Sequence, residues 1–172
     1  MKQKQGFTLI EILIVVAIIA ILASVVLVGL GPTQSSGRDA RRLSDLQQTM
    51  LGLGLYYNKC GFYPGDVGCG AGGFTQITAN GWAQMASVLT SPTTNIGVNT
   101  IPNDPTPGRT YYYGTTSGGT SYIVAATLEN TSNAVFSSYQ APNTTGFTIS
   151  GASTATNGVF SGCATPNYCL TL

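Results

Sequence analysis

Four cysteines form two close pairs in the sequence, Cys60 with Cys69 and Cys163 with Cys169. Neither pair has the Cys-x-x-Cys spacing of zinc sites or thioredoxin-like redox motifs, which argues against both kinds of site. An even number of cysteines in an exported chain typically forms disulfides. Four cysteines allow three connectivities, and we favour the two local bridges because each closes a short loop.

Side chains that could carry out acid-base or nucleophilic catalysis are scarce. Histidine is absent, which excludes histidine-based acid-base chemistry and histidine metal ligands. Lys59 is the only lysine beyond the first four residues. The carboxylates of Asp66, Asp104 and Glu129 lie far apart in the sequence, so no glycosidase-like pair can be inferred. We therefore expect no catalytic site, no cofactor and no bound metal.

Glu11 is unusual because it lies at the edge of a long apolar segment. Residues 12–30 carry no charge. At ~1.5 Å per residue, a helix of that length reaches roughly 28 Å, about the thickness of a bilayer's hydrocarbon core. An ionisable group inside a bilayer costs at least ~2.5–3.5 kcal/mol and usually has a partner. The segment therefore predicts a membrane-spanning helix whose carboxylate needs a counter-ion.

Three interpretations of this N-terminal region compete. A secretory signal peptide has an apolar region of about 7–15 residues, which is shorter than residues 12–30, and no convincing small-x-small cleavage site follows. An ordinary signal anchor accounts for the length and for the basic residues Lys2 and Lys4. It does not account for the sequence of residues 6–11, Gly-Phe-Thr-Leu-Ile-Glu, which the third interpretation explains.

Residues 6–11, Gly-Phe-Thr-Leu-Ile-Glu, followed by a long aliphatic segment, closely resemble the class III signal of type IV pilins and pseudopilins. The resemblance implies that a prepilin peptidase cuts after Gly6 and that the new N-terminal residue, Phe7, is methylated. It also implies that Glu11 pairs with the N-terminal amine of a neighbouring subunit in a filament. Such a pair would offset the cost of burying both charges. The alternative is that Glu11 of a lone anchor reaches the lipid headgroups.

The composition fits one small domain behind an anchor. Only 8% of the residues are charged, against a typical ~25%. Without Lys2 and Lys4, five of the seven basic residues remain against six acidic ones, so no basic patch for nucleic acid is expected. We expect four parts: a cleaved leader (1–6), a transmembrane or filament-core helix (7–30), an amphipathic continuation of it (31–58) and an extracytoplasmic head (59–172).

Local patterns also predict the elements that would hold these residues. Apolar residues three and four positions apart predict a helix over residues 38–58: Ala40, Leu43, Leu46, Met50, Leu53 and Tyr57. Pro32 and the glycines beside it predict a kink or a melted stretch before this helix. The polar face carries an arginine cluster that could meet lipid headgroups, an acidic neighbour or only solvent: Arg38, Arg41 and Arg42.

The head is predicted to contain one short helix and several strands. Residues 82–89 fit a helix that stops before Pro92. Residues 110–115 and 121–128, joined by a Ser-Gly-Gly turn, predict a β-hairpin. Further short strands are expected at 134–139, 147–150 and 158–161. The predicted fold class is α+β and pilin-like, with a long N-terminal helix packed on a small antiparallel sheet and with loop-rich, disulfide-bonded regions.

The head is loosely similar to the major pseudopilin of type II secretion. The similarity lies in the Gly-Phe-Tyr-Pro of residues 61–64, the Asp-Pro of residues 104–105 and the aromatic strand that follows. That family typically places an Asp-rich calcium loop after the second strand, whereas Glu129 here stands among Asn, Thr and Ser. The departure argues against a calcium site. The second cysteine pair resembles the disulfide that closes the C-terminal loop of many pilins.

Together these resemblances imply a structural subunit of a type IV pilus-like filament. Its partners would be prepilin peptidase, the pilus or secretion assembly machinery, and identical or related subunits. The chain would cross the cytoplasmic membrane once, with its head outside the cytoplasm, and would then enter a cell-surface or periplasmic filament. The alternatives are a major pseudopilin that drives protein export and a membrane-anchored extracellular binding module.

Overall fold

The computed structural model describes residues 6–69, 73–77, 81–150, 160 and 162–172, with only the backbone of residues 25–30 and 150. The chain divides into two compact units, Met1–Ser35 and Ser36–Leu172. The fold class is α+β, as predicted, with a long N-terminal helix packed onto a four-stranded antiparallel sheet. Two disulfide bonds lie in the second unit.

Helix α1, Leu9–Cys60, continues through Pro32. Of the two alternatives predicted at this proline, a kink or a melted stretch, the melted stretch does not occur. A proline inside a helix removes one N–H donor and the hydrogen bond that this donor would make, and the helix continues on both sides of that missing bond. The hydroxyl of Ser35 donates to the carbonyl of Pro32 at 2.9 Å, a local bond that serines in helices commonly make.

The first part of α1 is apolar and exposed. Its large aliphatic side chains from Leu9 to Leu22 are all more than half exposed. Among the residues whose side chains are described, no helix has both the length and the hydropathy that a membrane crossing needs. The transmembrane character predicted for residues 7–30 is thus not confirmed.

The last part of α1 packs against the sheet. Leu46, Leu53 and Tyr56 have no exposed area and share the main hydrophobic core with residues of the sheet: Tyr113, Tyr122 and Val124. Their spacing follows one face of a helix, as the periodic pattern predicts. Tyr56 takes the core position that was predicted for Tyr57. The side chain of Tyr57 is 39% exposed, and its ring contacts that of Tyr63.

Helix α2, Gly81–Thr90, confirms the predicted short helix. Its only aromatic residue, Trp82, is buried. The indole Nε1 donates to the carbonyl of Pro102 at 3.2 Å, and the ring meets Tyr111 edge-on with 4.8 Å between ring centroids. The indole therefore fills the core while its N–H keeps a hydrogen-bond partner, as a buried tryptophan requires.

The sheet has the strand order β3-β1-β2-β4, with every neighbouring pair antiparallel. The strands are β1 Tyr112–Thr116, β2 Tyr122–Thr127, β3 Phe147–Ser150 and β4 Asn167–Thr171. The predicted hairpin is β1 and β2, with Tyr113 opposite Val124. In its turn, Gly119 has a φ of +64°, and a Cβ there would lie 2.5 Å from the ring of Phe74. This turn therefore requires glycine.

The remaining strand predictions had mixed outcomes. Residues 147–150 form β3 as predicted. Ala134–Ser137 is a 3₁₀ helix instead of a strand, because the side chain of Asn133 accepts a backbone N–H at its start and favours a turn. The strand predicted at 158–161 lies almost wholly outside the described residues. Strand β4 has no counterpart in the sequence predictions, although it pairs with β2 along its whole length.

Candidate functional site

The predicted processing site lies immediately before α1. Gly6, Phe7 and Thr8 precede Leu9, the first residue of the helix. The side chain of Phe7 is 84% exposed. The Gly6–Phe7 peptide bond therefore lies in exposed, non-helical chain, the kind of segment that proteases cut most readily. The first five residues of the predicted leader lie outside the described residues.

Glu11 and Thr8 form a capping box at the start of α1. The backbone N–H and the hydroxyl of Thr8 both donate to Oε2 of Glu11, at 2.8 and 2.7 Å. In return, the N–H of Glu11 donates to the Thr8 hydroxyl oxygen at 3.4 Å. The two residues thereby satisfy N–H groups that a helix start leaves without partners. The Thr-x-x-Glu spacing is the sequence signal for a capping box. The sequence prediction paired Glu11 with another subunit and missed this second role.

A cluster of charged side chains joins α1 to the head. The side chain of Arg42 has no exposed area. Its Nε and Nη2 donate to the carboxylate of Asp104 at 2.8 and 2.9 Å, and its Nη1 donates to Asp39 at 2.8 Å. Nη2 also lies 2.8 Å from Glu129. One guanidinium therefore contacts three carboxylates. We call these four residues, together with Arg38, the arginine joint.

The other bonds of the arginine joint fasten the backbone of the head to α1. Arg38 donates to the two carboxylate oxygens of Glu129 from Nε and Nη2, at 2.8 and 2.5 Å. Asp39 accepts the backbone N–H groups of Glu129 and Asn130, each at 2.9 Å. Paired bonds between arginine and carboxylate add geometric specificity as well as energy. Because the Asp39 and Arg42 side chains are fully buried, solvent ions screen them little.

The arginine joint selects among the alternatives left open for the arginine cluster. Arg38 and Arg42 meet acidic groups of their own chain instead of lipid headgroups or solvent, and Glu129 is not isolated. Only Arg41 behaves as a solvated residue, with a side chain that is 62% exposed and lies 3.8 Å from Asp45. No local pattern could reveal the joint, because Arg42 and Asp104 are 62 residues apart.

The arginine joint shifts the pKa values of its members. Hydrogen bonds from Arg38 and Arg42 lower the pKa of Glu129 to about 2, although burial opposes this shift. Burial disfavours the charged form of Arg42, but hydrogen bonds to Asp104 and Glu129 outweigh it and raise the pKa of the guanidinium. Glu129 is therefore ionised at neutral pH, which keeps its pairs with both arginines intact.

We expect the chain to lose stability in acid as Glu129 takes up a proton. The pKa of Glu129 is about 2 in the folded chain, against an ordinary value of 4.5, so the unfolded chain binds this proton more readily. The stabilising contribution is complete above about pH 4.5 and is lost as the pH falls towards about 2. Thermal unfolding of the full chain across this range measures the effect. Glu129→Gln should show a flatter dependence, and equal slopes for both proteins would contradict the prediction.

All four cysteines are used in two local bridges, Cys60–Cys69 and Cys163–Cys169. Bridges of this kind typically contribute about 2–4 kcal/mol to stability. The backbone N–H of Cys169, in strand β4, donates to the hydroxyl of Tyr139 at 2.9 Å. Because β4 is an edge strand, this bond occupies an N–H that could otherwise pair with another strand.

In the described part of the chain, no group of three cysteine or acidic side chains has the arrangement of a metal site.

Comparison with known proteins bears on the N-terminal region. No curated protein and no solved structure matches the chain significantly. Residues 1–27 match the protein-family model described as the prokaryotic N-terminal methylation motif. The matched segment includes Gly6, Phe7 and Glu11 and most of the apolar run that follows. The N-terminus of this chain therefore carries the class III prepilin signal of type IV pilins and pseudopilins.

Proposed function

We propose that the chain is a structural subunit of a type IV pilus-like filament. The observation that carries this proposal is the N-terminal methylation motif at residues 1–27. In the described part of the chain, the buried charges of the arginine joint pair with one another and the cysteines are bridged. That arrangement suits a structural role better than a catalytic one.

In this proposal, prepilin peptidase removes residues 1–6 and Phe7 becomes the methylated N-terminus. Residues 7–30 hold the chain in the cytoplasmic membrane, residues 31–58 continue the helix, and the head lies outside the cytoplasm. Assembly machinery then transfers the subunit into a filament of identical or related copies. The apolar helices form the interior of that filament, and the heads form its surface.

The exposure of α1 supports this role. The large aliphatic side chains from Leu9 to Leu22 are more than half exposed, and a surface of this kind needs a cover. Lipid tails are as apolar as leucine, so transfer from lipid to a helix bundle gains little from hydrophobicity alone. Association must therefore draw on close packing and on charge pairing, for which Glu11 is the acidic group.

A major pseudopilin of type II secretion is the second candidate, because the same signal introduces both kinds of subunit. It is favoured by residues 61–64, which form part of the core: Tyr63 is buried, and the carbonyl of Pro64 accepts the Tyr113 hydroxyl at 2.9 Å. Against it, Glu129 pairs with Arg38 and Arg42 at the point where that family typically has a calcium loop. We therefore place the surface pilus first.

In a host that has prepilin peptidase, we expect mass spectrometry to find a mature chain that begins with methylated Phe7. The same gene in a host without the peptidase is the control and should give a chain that keeps residues 1–6. A chain that keeps Met1 where the peptidase is active would reject both filament proposals and leave the membrane-anchored binding module. Electron microscopy of sheared surface filaments, with the subunit identified in them, would then distinguish a pilus from a secretion filament.

A further inference from the structure

Within one copy, nearly every acidic side chain already has a partner. Of the six acidic residues, four bond to arginine or tyrosine in the second unit: Asp39, Asp45, Asp104 and Glu129. Glu11 caps α1 through Thr8. Asp66 is exposed, and no ion pair in the described residues includes it. It is therefore the one acidic group of the head that remains available to another molecule.

Asp66 is held in a fixed position by its backbone. Its N–H donates to the carbonyl of Thr75, and its carbonyl accepts Nε2 of Gln84, both at 2.6 Å. The next residue, Val67, is 36% exposed. The loop closed by the Cys60–Cys69 disulfide therefore presents one carboxylate next to one aliphatic side chain, on a backbone that is already fixed at Asp66 before a partner binds.

A groove on the second unit offers the complementary chemistry. It has a volume of about 360 Å³ and lies between α1 and the segment 97–102. Its apolar lining comes from α1 and from that segment: Leu51, Leu55, Val98, Ile101 and Pro102. Leu51 is 73% exposed and Leu55 is 50% exposed, which is unusual for leucines on a helix whose other face packs a core.

A positive charge lies one helical turn beyond this groove on α1. Lys59 is exposed and follows Leu55 by one helical turn on α1. Its ammonium donates to the carbonyl of Thr94, which holds the charge in place without neutralising it. In the described residues no ion pair includes Lys59, so Lys59 and Asp66 of one copy do not pair with each other.

We propose that this groove binds a second copy of the chain, with Asp66 of that copy paired to Lys59 and Val67 placed against Leu51 and Leu55. This inference rests on the proposed function, since it names a contact between neighbouring subunits of the filament. Charge complementarity carries it, because one cation, Lys59, follows the exposed leucines of the groove on α1 and the loop has one acid beside an aliphatic residue. If each interface uses one Asp66 and one Lys59, the contact is head-to-tail and repeats into an open array, as a filament requires.

Charge reversal in the full-length chain tests the contact. Lys59→Glu and Asp66→Lys should each lower the yield of sheared filaments by about tenfold, since like charges then face each other. The chain that carries both reversals should recover most of the yield, because the pair re-forms with opposite sign between copies. Arg41→Glu, which reverses another exposed cation of α1, is the matched control and should leave the yield near that of the native chain.

A second measurement keeps the test decisive if Lys59→Glu destabilises the fold by losing its bond to Thr94. A photo-crosslinking amino acid at Leu51 should join the peptide that contains Asp66 of another copy in native filaments. Crosslinks that map elsewhere, or a double reversal that stays as poor as the single ones, would overturn the contact while the native chain still assembles. Absence of filaments from the native, processed chain would instead count against the proposed function itself.

Discussion

Arg42→Leu is expected to lower the free energy of unfolding by about 3–5 kcal/mol, the usual cost of removing one partner from a buried ion pair. The side chains of Asp39 and Asp104 are 0% and 2% exposed. Without the guanidinium, both carboxylates lose their counter-ion while they stay out of contact with water. Leucine fills part of the volume but donates no hydrogen bond to either of them.

Denaturant unfolding of the full chain in detergent micelles measures this change. Trp82 is the only tryptophan and lies in the core, so its fluorescence follows the second unit. Arg42→Lys should restore only part of the stability, because an ammonium cannot hold Asp104 through two parallel bonds. Arg41→Leu is the control and should cost less than about 1 kcal/mol, as exposed pairs do. Equal losses for Arg41→Leu and Arg42→Leu would show that the arginine joint does not hold the fold.

The features that the sequence predicted correctly are those encoded by neighbouring residues. The N-terminal methylation motif lies in one unbroken segment, residues 1–27, in which Gly6, Phe7 and Glu11 are close neighbours. The spacing of Leu46 and Leu53 identifies the buried face of α1, and the Ser-Gly-Gly turn identifies the β1–β2 hairpin. In each case the residues that determine the structure lie within a few positions of one another, so local patterns are sufficient.

The arginine joint could not be predicted, because it forms only when the chain folds. Arg38 and Glu129 are 91 residues apart, and Arg42 and Asp104 are 62 apart. On the sequence alone, each charge looks like an ordinary surface residue. Strand β4 was missed for a related reason, since its place beside β2 is determined by tertiary pairing and not by a strong alternating pattern.

Two local patterns did not give the structure that they usually indicate. Pro32 usually ends or kinks a helix, yet α1 continues through it. Residues 134–139 contain β-favouring Val and Phe, yet the capping oxygen of Asn133 starts a 3₁₀ helix there. The average preference of a residue type is a weak guide wherever a specific hydrogen bond favours another conformation.

Glu11→Gln is expected to reduce filament yield by at least about tenfold while the chain still inserts and is still processed. The residue has two roles in this protein, one in its own helix and one proposed between subunits. Glutamine serves the third helical position of a capping box as well as glutamate does, so the start of α1 should be preserved. Only the charge is lost, and an amine without its counter-ion in an apolar environment costs at least ~2.5–3.5 kcal/mol.

Thr8→Val is the matched variant, because it removes the capping hydroxyl and keeps the carboxylate. It should cost about 0.5–2 kcal/mol of helix stability and leave filaments largely intact. Glu11→Ala removes both functions and should be at least as defective as Glu11→Gln. Filament yield and the methylated N-terminus, measured side by side for the three variants, separate assembly from processing. Normal filaments from Glu11→Gln together with few from Thr8→Val would show that helix capping, and not charge, is what assembly needs.

The geometry of the carboxylate explains how Glu11 can fill both roles at once. Both hydrogen bonds from Thr8 end on the same oxygen, Oε2. The proposed cleavage before Phe7 would leave the N–H and hydroxyl of Thr8 in place, so the capping box would survive processing. The capping bonds leave Oε1 for the amine of a neighbouring subunit. A capped carboxylate is also held in one direction before it meets that amine, which reduces the entropy lost when the pair forms. We therefore expect Thr8→Val to slow filament growth more than it lowers the final yield, a difference that a time course of assembly would detect.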